Sequence, residues 1–211
     1  SSKSFECDVS SDHNAQNSIE NLFIGISEYW NEIDFVVHAL AFSDKDELKG
    51  KYINCSRDNF LNSLDISAFS FTRTAKAAFP LMVNNGGSLL TLSYLGAERT
   101  TPNYNVMGVA KAALEASIKY LAMDIGKNNI RVNGISAGPM KTLAGAAISG
   151  ARHVYRYSES VAPLGFNPEL KEVSDSALYL LSDLSSGVTG NIHHVDGGLH
   201  SIGIPRSEDI E

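Results

Sequence analysis

The sequence is poor in cysteine, in positive charge and in long apolar runs. Its 211 residues include only Cys7 and Cys55, which are too few for a disulfide framework in a chain of this size. The formal net charge of -7 lacks the basic excess that nucleic acids and anionic membranes require. No apolar run reaches the roughly 18 residues of a membrane span, and no signal-peptide pattern opens the chain. We therefore expect a soluble cytoplasmic protein with a small-molecule ligand, and neither a nucleic-acid nor a membrane partner.

Short apolar runs alternate with longer segments of helical periodicity, without an internal repeat. Runs rich in branched residues predict strands at residues 34–40, 87–94, 130–136 and 191–198. A further strand is predicted at Phe5–Val9, followed by a helix over residues 17–30. This alternation predicts one α/β domain over residues 1–211, with a doubly wound parallel sheet. Ligands of such sheets bind beyond the carboxyl ends of the strands.

One segment places polar side chains at that edge. Tyr94 ends the predicted strand 87–94, and a helix with an apolar stripe is predicted from about Tyr104 to Gly126. Tyr104 and Lys111 are about two helical turns apart, so a phenol and an ammonium can share one face. A tyrosine that keeps its proton at neutral pH can stabilise an oxyanion, and a lysine can donate to sugar hydroxyls. The same spacing also arises by chance, so the pair alone does not identify a function.

The sequence around this pair resembles the short-chain dehydrogenase/reductase family, and within it the NADH-dependent enoyl-acyl carrier protein reductases of bacterial fatty-acid synthesis. Six residues separate Tyr104 from Lys111, as in that branch, whereas the commoner members of the family have three. The segments LSYLGAER, RVNGISAGPMKTLA and GNIHHVDGG also match that branch in order and spacing. The resemblance implies a Rossmann-like fold and hydride transfer from NADH to the β-carbon of a trans-2-enoyl thioester.

The resemblance also implies a role for individual residues. Tyr104 would hydrogen-bond the thioester oxygen, Lys111 would hold the nicotinamide ribose, and Tyr94 would line the substrate side. The other implied substrate-binding residues, within or near a flap at about residues 142–160, are Met107, Ala144, Ala147 and Ile148. The implied cofactor-binding residues are Asp8, Val9, Ala39, Leu40, Ala41, Leu92, Lys111, Ala137, Gly138, Pro139, Met140 and Thr142.

Some of these residues have a simpler interpretation. Asp8 could cap the helix that follows it, and Gly138 with Pro139 could form an ordinary tight turn. Many relatives carry a serine where this chain has Ala39, so a hydroxyl contact is missing there. Ala151 stands where some relatives have an aromatic residue, which would open the pocket or loosen the flap.

The resemblance implies two kinds of protein partner. One is a homotetramer built partly through the helices after Ser56 and after Tyr104. The other is acyl carrier protein, which a basic group could receive, although ordinary solvated charges also explain that group. The group consists of Lys141, Arg152 and Arg156. His193 and His194 point to opposite faces of a predicted strand, which argues against a metal site.

No glycine-rich turn of the kind that binds a dinucleotide pyrophosphate precedes Phe5. We expect the family's first two strands to be absent between the strands at Phe5 and Asp34, which would leave unpaired edges. The chain is then expected to be a fragment, or a proteolysed form, that binds NADH poorly when expressed alone. Two other functions remain open. A short-chain dehydrogenase acting on a carbonyl or alcohol would favour the three-residue spacing, and a catalytically silent nucleotide-binding protein would explain the missing turn.

Overall fold

A four-stranded parallel sheet forms the centre of the protein. The computed structural model describes residues 2–142 and 150–209. Its strands are β1 (Phe35–His38), β2 (Gly87–Tyr94), β3 (Ile130–Ala137) and β4 (Ile192–Val195). They lie side by side in chain order, β1-β2-β3-β4, and each pairs with the next in parallel. The four predicted strands from residue 34 onward are confirmed, because continuous apolar runs are typical of parallel strands buried on both faces.

Helices cover both faces of this sheet. They are α1 (Ile19–Ser27), α2 (Arg57–Leu64), α3 (Ser70–Met82), α4 (Val106–Ile125), α5 (Ala151–Val161) and α6 (Leu170–Leu181). Leu89 packs in one core cluster with residues of α1, α3 and α4, whereas its neighbour Leu90 packs with residues of α6. Consecutive strand residues point to opposite faces, so the two cores lie on opposite sides of the sheet. The α/β doubly wound arrangement is therefore confirmed.

Local signals fix the helix boundaries near the loop that follows β1. Ser56 caps α2, since its side chain accepts a hydrogen bond from the backbone N–H of Asn59. A π-helical turn at Asp65–Phe69 joins α2 to α3. In this turn the Ser67 hydroxyl accepts from the Phe42 N–H and donates to the Phe42 carbonyl, each over 3.0 Å. The turn thereby holds the β1 loop at the carboxyl edge of the sheet, consistent with the frequent placement of π-turns at functional sites.

The predicted strand at Phe5–Val9 is wrong. This segment has no sheet partner, and Asp8 and Val9 form a turn in which the Asp8 N–H donates to the Asn17 carbonyl. Arg73 donates to the carbonyls of Val9 and Ser11, so side-chain and turn contacts satisfy backbone groups that a strand would present to a neighbour. The described part of the sheet ends at β1, so the expected gap between two strands does not form, whereas the unpaired edge expected at the strand near Asp34 is present.

Part of the predicted flap is helical. Residues 151–161 form α5, and Ala151, at its first position, is half-buried. Ala144, Ala147 and Ile148 lie outside the described residues. Among the helices that the structure describes, none has both the length and the apolar composition to cross a bilayer. The single-domain interpretation of residues 1–211 stays a prediction.

Candidate active site

Two tyrosines meet at the carboxyl end of β2. The ring of Tyr94, the last residue of β2, lies edge-on to the ring of Tyr104, with centroids 4.9 Å apart and an interplanar angle of 68°. Leu48, Val106 and Met107 surround them in one buried cluster. The strand end that was predicted to carry chemistry therefore holds both tyrosines together.

Tyr104 does not belong to the helix that carries Lys111. It lies in a turn, and α4 begins two residues later, after Asn105 with φ 42° and ψ -120°. Asn103 also has a positive φ of 59°, a conformation that asparagine tolerates better than most residues. The Asn105 side chain donates to the Leu48 carbonyl over 2.9 Å and ties the turn to the β1 loop. The predicted common helical face is thus wrong for Tyr104, which contact with Tyr94 positions instead.

Two glycines make room for Tyr104. A Cβ on Gly96 would lie 2.4 Å from Cδ1 of the Tyr104 ring, and a Cβ on Gly108 would lie 2.7 Å from the Gly96 carbonyl oxygen. Both distances are far below van der Waals contact, so a side chain at either position must displace its neighbour. Sequence reasoning missed both residues, because an isolated glycine carries no periodic signal.

The Tyr104 phenol is buried and stays protonated at neutral pH. Only 8% of the residue is exposed, and burial raises its pKa further above the usual range of a tyrosine. Burial also raises the pKa of Tyr94, and a hydrogen bond with Thr101 partly opposes that rise. Within residues 2–142 and 150–209, no side chain or backbone group is hydrogen-bonded to the Tyr104 hydroxyl. It can therefore donate to a negatively charged oxygen on a ligand.

Lys111 is almost fully buried on α4. It is 5% exposed, and its Nζ donates to the carbonyl of Leu92 on β2 over 2.7 Å. Burial lowers its pKa to about 8, and the nearby Glu115 opposes this effect. The ammonium retains further N–H donors beyond the one used by Leu92. Leu92, predicted to bind cofactor, therefore contributes at least its carbonyl to the positioning of Lys111.

A buried histidine supports the end of β1. His38 is hydrogen-bonded through Nδ1 to Thr91 Oγ1 over 3.0 Å and through Nε2 to Ser70 Oγ over 2.8 Å. Burial and the positive charge of Lys111 lower its pKa to about 4, so the ring is neutral at physiological pH. Sequence reasoning missed this residue. Beyond it Ala39 and Ala41 are exposed and Leu40 is half-buried, so small side chains follow the strand end.

The loop after β3 packs tightly beside the same edge. Ala137 ends β3 between Tyr94 and Val195, and the Gly138 N–H donates to the Val195 carbonyl over 2.8 Å. A Cβ on Gly138 would lie 2.8 Å from Pro168. Beyond it, Pro139 and Met140 are half-buried and Thr142 is exposed. The close packing around Gly138 fits the tight-turn interpretation and leaves the predicted cofactor contacts of this loop as predictions.

Three other residues that were predicted to bind the cofactor or the substrate lie in the N-terminal turn or are buried. Asp8 and Val9 lie in the N-terminal turn that Arg73 holds against α1 and α3, away from the end of β2. Met107 adjoins Tyr104 but is buried, and its sulfur lies 3.8 Å from the Ser67 hydroxyl oxygen. Direct binding by these three residues stays a prediction. Among the described residues, no group of three or more His, Cys, Asp or Glu side chains could hold a metal ion.

Known reductases match this chain in sequence and in fold. A family model described as enoyl-(acyl carrier protein) reductase matches residues 1–200. The chain is 58% identical over 187 residues to enoyl-[acyl-carrier-protein] reductase [NADH] 1 of Rhizobium meliloti, covering 89% of this chain and 68% of that protein. It is 56% identical over 188 residues to the NADH enoyl reductase of Rickettsia typhi, covering 89% and 72%.

Solved structures show the same similarity. The enoyl reductase of Anaplasma phagocytophilum, crystallised in complex with NAD, superposes with a TM-score of 0.88 at 52% identity, covering 96% of this chain and 73% of that one. The corresponding reductase of Candidatus Liberibacter asiaticus superposes with a TM-score of 0.89 at 50% identity, covering 95% and 76%. Sequence and fold agree. The chain therefore belongs to the enoyl-(acyl carrier protein) reductase family.

Proposed function

We propose that this protein reduces the trans-2 double bond of enoyl-acyl carrier protein with NADH, and that Tyr104 and Lys111 act on the substrate and the cofactor. The observation that carries the proposal is the convergence of both residues on the end of β2, through the Tyr94 ring and the Leu92 carbonyl. Relatives at 50–58% identity are named as NADH-dependent enoyl reductases, which supports the same chemistry here.

The residues at this edge fit the nicotinamide half of the cofactor. A buried ammonium at Lys111 supplies hydrogen-bond donors for ribose hydroxyls, and the exposed Ala39 and Ala41 leave the backbone beside it accessible. NADH, when bound, supplies the hydride. The contribution of this chain is then to bind, orient and neutralise charge around the reacting carbons.

Tyr104 would act where negative charge develops. Addition of hydride to the β-carbon of the substrate places negative charge on the thioester oxygen before the α-carbon is protonated. A protonated phenol that has no hydrogen-bond partner among the described residues can donate a hydrogen bond to that oxygen. Its raised pKa keeps the donor intact over the whole physiological range. Tyr94 would border the acyl chain and restrain the Tyr104 ring.

The proposal is tested with two substrates of equal chain length. The full-length protein is purified and mixed with NADH and either crotonyl- or acetoacetyl-acyl carrier protein, and the loss of NADH absorbance is followed. We expect turnover with the crotonyl thioester, butyryl thioester as product, and none with the acetoacetyl thioester. Turnover of the acetoacetyl substrate alone would identify a carbonyl reductase. Saturable NADH binding without turnover of either substrate would identify a silent nucleotide-binding protein.

An acyl carrier protein is the partner that this reaction requires. Lys141 directly precedes residues 142–160, and Arg152 and Arg156 lie exposed within that range on α5. Lys141 Nζ lies 4.7 Å from the centre of the Tyr155 ring, which places one positive charge against this helix. An acidic carrier would be attracted to such a group.

We also infer a cytoplasmic location, since both cysteines are free and the reaction uses soluble partners.

We further propose that the protein is a homotetramer. Large apolar side chains are exposed on α2 and its π-turn and on α4, which contact each other: Leu61, Phe69, Tyr120 and Met123. A second set is exposed on and around α6: Leu170, Leu178 and Leu184. Two such faces would satisfy the two kinds of interface that a tetramer with two-fold axes requires.

The oligomeric state is tested by light scattering at micromolar concentration. We expect a tetrameric mass for the native protein and a dimeric mass for Met123→Glu, because a charge at the centre of an apolar interface is not compensated. Lys127→Glu, which changes a nearby exposed residue outside α4, is the matched control and should stay tetrameric. A monomeric mass for the native protein would reject the proposal.

A further inference from the structure

The last three residues of β2 each contact a residue of α4 or of the turn that leads into it. The Leu92 carbonyl accepts from Lys111, and the Tyr94 ring contacts the Tyr104 ring. Between them, the Ser93 hydroxyl donates to Oε1 of Glu115 over 2.5 Å. Of these three contacts, only the one between Ser93 and Glu115 has no part in the function proposed above.

Burying the Glu115 carboxyl at this position costs free energy. It is only 9% exposed, and an ionised carboxyl loses much of its hydration there. Burial raises its pKa, whereas the Ser93 hydrogen bond lowers it. An apolar residue of similar volume commonly serves a core equally well or better. A carboxyl at this position therefore indicates a task beyond packing.

The positive charge that Glu115 can stabilise is that of Lys111. The two residues are four apart on α4, so their side chains are neighbours on the same helix face. Lys111 is buried, and its positive charge helps to lower the pKa of His38 on β1, so that ring is neutral and supplies no counter-charge. The Glu115 carboxylate raises the pKa of Lys111 and so opposes the destabilisation of its ammonium by burial.

Other charged groups also face Glu115. Lys119 lies one turn further along α4, Glu98 lies after β2, and His194 lies on β4. Glu98 and His194 are hydrogen-bonded to each other over 2.8 Å. Of the groups around Glu115, Lys111 is the buried cation whose charge the proposed function uses.

We propose that Glu115 is a positioning residue, fixed by Ser93, that keeps Lys111 in its ammonium form and directed toward the cofactor. This proposal rests on the proposed function, in which Lys111 holds the nicotinamide ribose. The carboxylate does not touch the cofactor. It acts through Lys111 by sustaining the positive charge that the ribose contact needs.

The test is the pH dependence of kcat/KM for NADH, which reports the ionisation of groups in the free enzyme. Because Lys111 has a pKa of about 8, activity should fall above that pH as the ammonium loses its proton. Removing a nearby negative charge lowers the pKa of a cationic acid. The alkaline limb of the kcat/KM profile should therefore lie about one pH unit lower in Glu115→Gln than in the native enzyme. The glutamine oxygen can still accept from Ser93.

Glu98→Gln is the matched control. It removes the same charge from a carboxyl that acts on Glu115 but is not among the groups that shift the pKa of Lys111, so its alkaline limb should not move. Glu115→Met, which keeps the volume without the charge, should reproduce the shift of Glu115→Gln. Equal shifts in Glu115→Gln and Glu98→Gln, or no shift in either Glu115 variant, would overturn the proposal. Loss of folding in both Glu115 variants would also overturn it, because it would assign Glu115 to the fold.

Lys111→Ala separates this proposal from the proposed function. If Lys111→Ala leaves NADH binding and turnover unchanged, the role of Lys111 is wrong and the Glu115 proposal is overturned with it. If Lys111→Ala weakens NADH binding but the limb of Glu115→Gln is unmoved, only the role of Glu115 is wrong.

Discussion

Replacing Tyr104 with phenylalanine should lower the turnover of a crotonyl or longer enoyl thioester by roughly 10- to 100-fold without weakening NADH binding. A hydrogen bond to a charged group contributes about 1.5–3 kcal/mol, and each 1.36 kcal/mol of barrier corresponds to a tenfold change in rate. The ring remains, so its packing against Tyr94 is preserved. Steady-state kinetics and NADH fluorescence titration measure the two quantities separately.

Lys111→Ala should behave differently, because it removes the group assigned to the ribose and its bond to the Leu92 carbonyl. Both turnover and NADH affinity should fall.

Tyr29→Phe is the control for Tyr104→Phe, because it makes the same substitution on a half-exposed tyrosine beyond α1, and it should match the native enzyme. Native turnover in Tyr104→Phe would show that another donor stabilises the oxyanion.

The substitution Gly96→Ala should reduce kcat by about 100-fold although Gly96 is assigned no chemical role. Its new Cβ would lie 2.4 Å from Cδ1 and 2.7 Å from Cε1 of Tyr104, so the ring must shift or the turn must move. A displacement of about 1 Å in a catalytic group can cost on the order of 100-fold in rate. NADH binding should change little, since Lys111 is held by Leu92 rather than by this turn.

Gly126→Ala provides the matched control for this prediction. A Cβ there would meet nothing within 4 Å, so its activity should be native. Thermal unfolding of both variants separates a displaced ring from a lost fold. A Gly96→Ala enzyme with native kcat would show that the tyrosine pair adapts without cost, and that the tight packing does not set its position.

The sequence predicted the sheet well because its strands are buried on both faces. β2 has the bounds that its apolar run predicts, and β3 extends one residue beyond its predicted run. The same reasoning failed at Phe5–Val9, since a short apolar run does not specify whether a neighbouring strand is present to pair with it. In this chain the Arg73 side chain donates to the Val9 carbonyl, and the Asn17 carbonyl accepts from the Asp8 N–H. These backbone groups therefore need no neighbouring strand as a partner.

The candidate site was predictable only in part. The motif identified Tyr94, Tyr104 and Lys111, but helical periodicity placed Tyr104 inside a helix that begins at Val106. The positive φ of Asn105 separates them, and periodicity alone does not predict that break. Gly96 and His38 have no pattern in the sequence, because a single close approach or a single buried polar network depends on contacts made in three dimensions.

The contacts at the end of β2 also bear on how the protein folds. Leu92 and Lys111 are 19 residues apart in the chain, and Ser93 and Glu115 are 22 apart. By contrast, the hydrogen bond from Asn191 to Asn133, where β4 approaches β3, joins residues 58 apart. Short loops cost less entropy to close, and local contacts favour fast folding. The contacts of Lys111 and Glu115 with β2 are thus encoded within one strand–helix unit of short sequence separation, whereas the approach of β4 to β3 depends on slower, long-range closure.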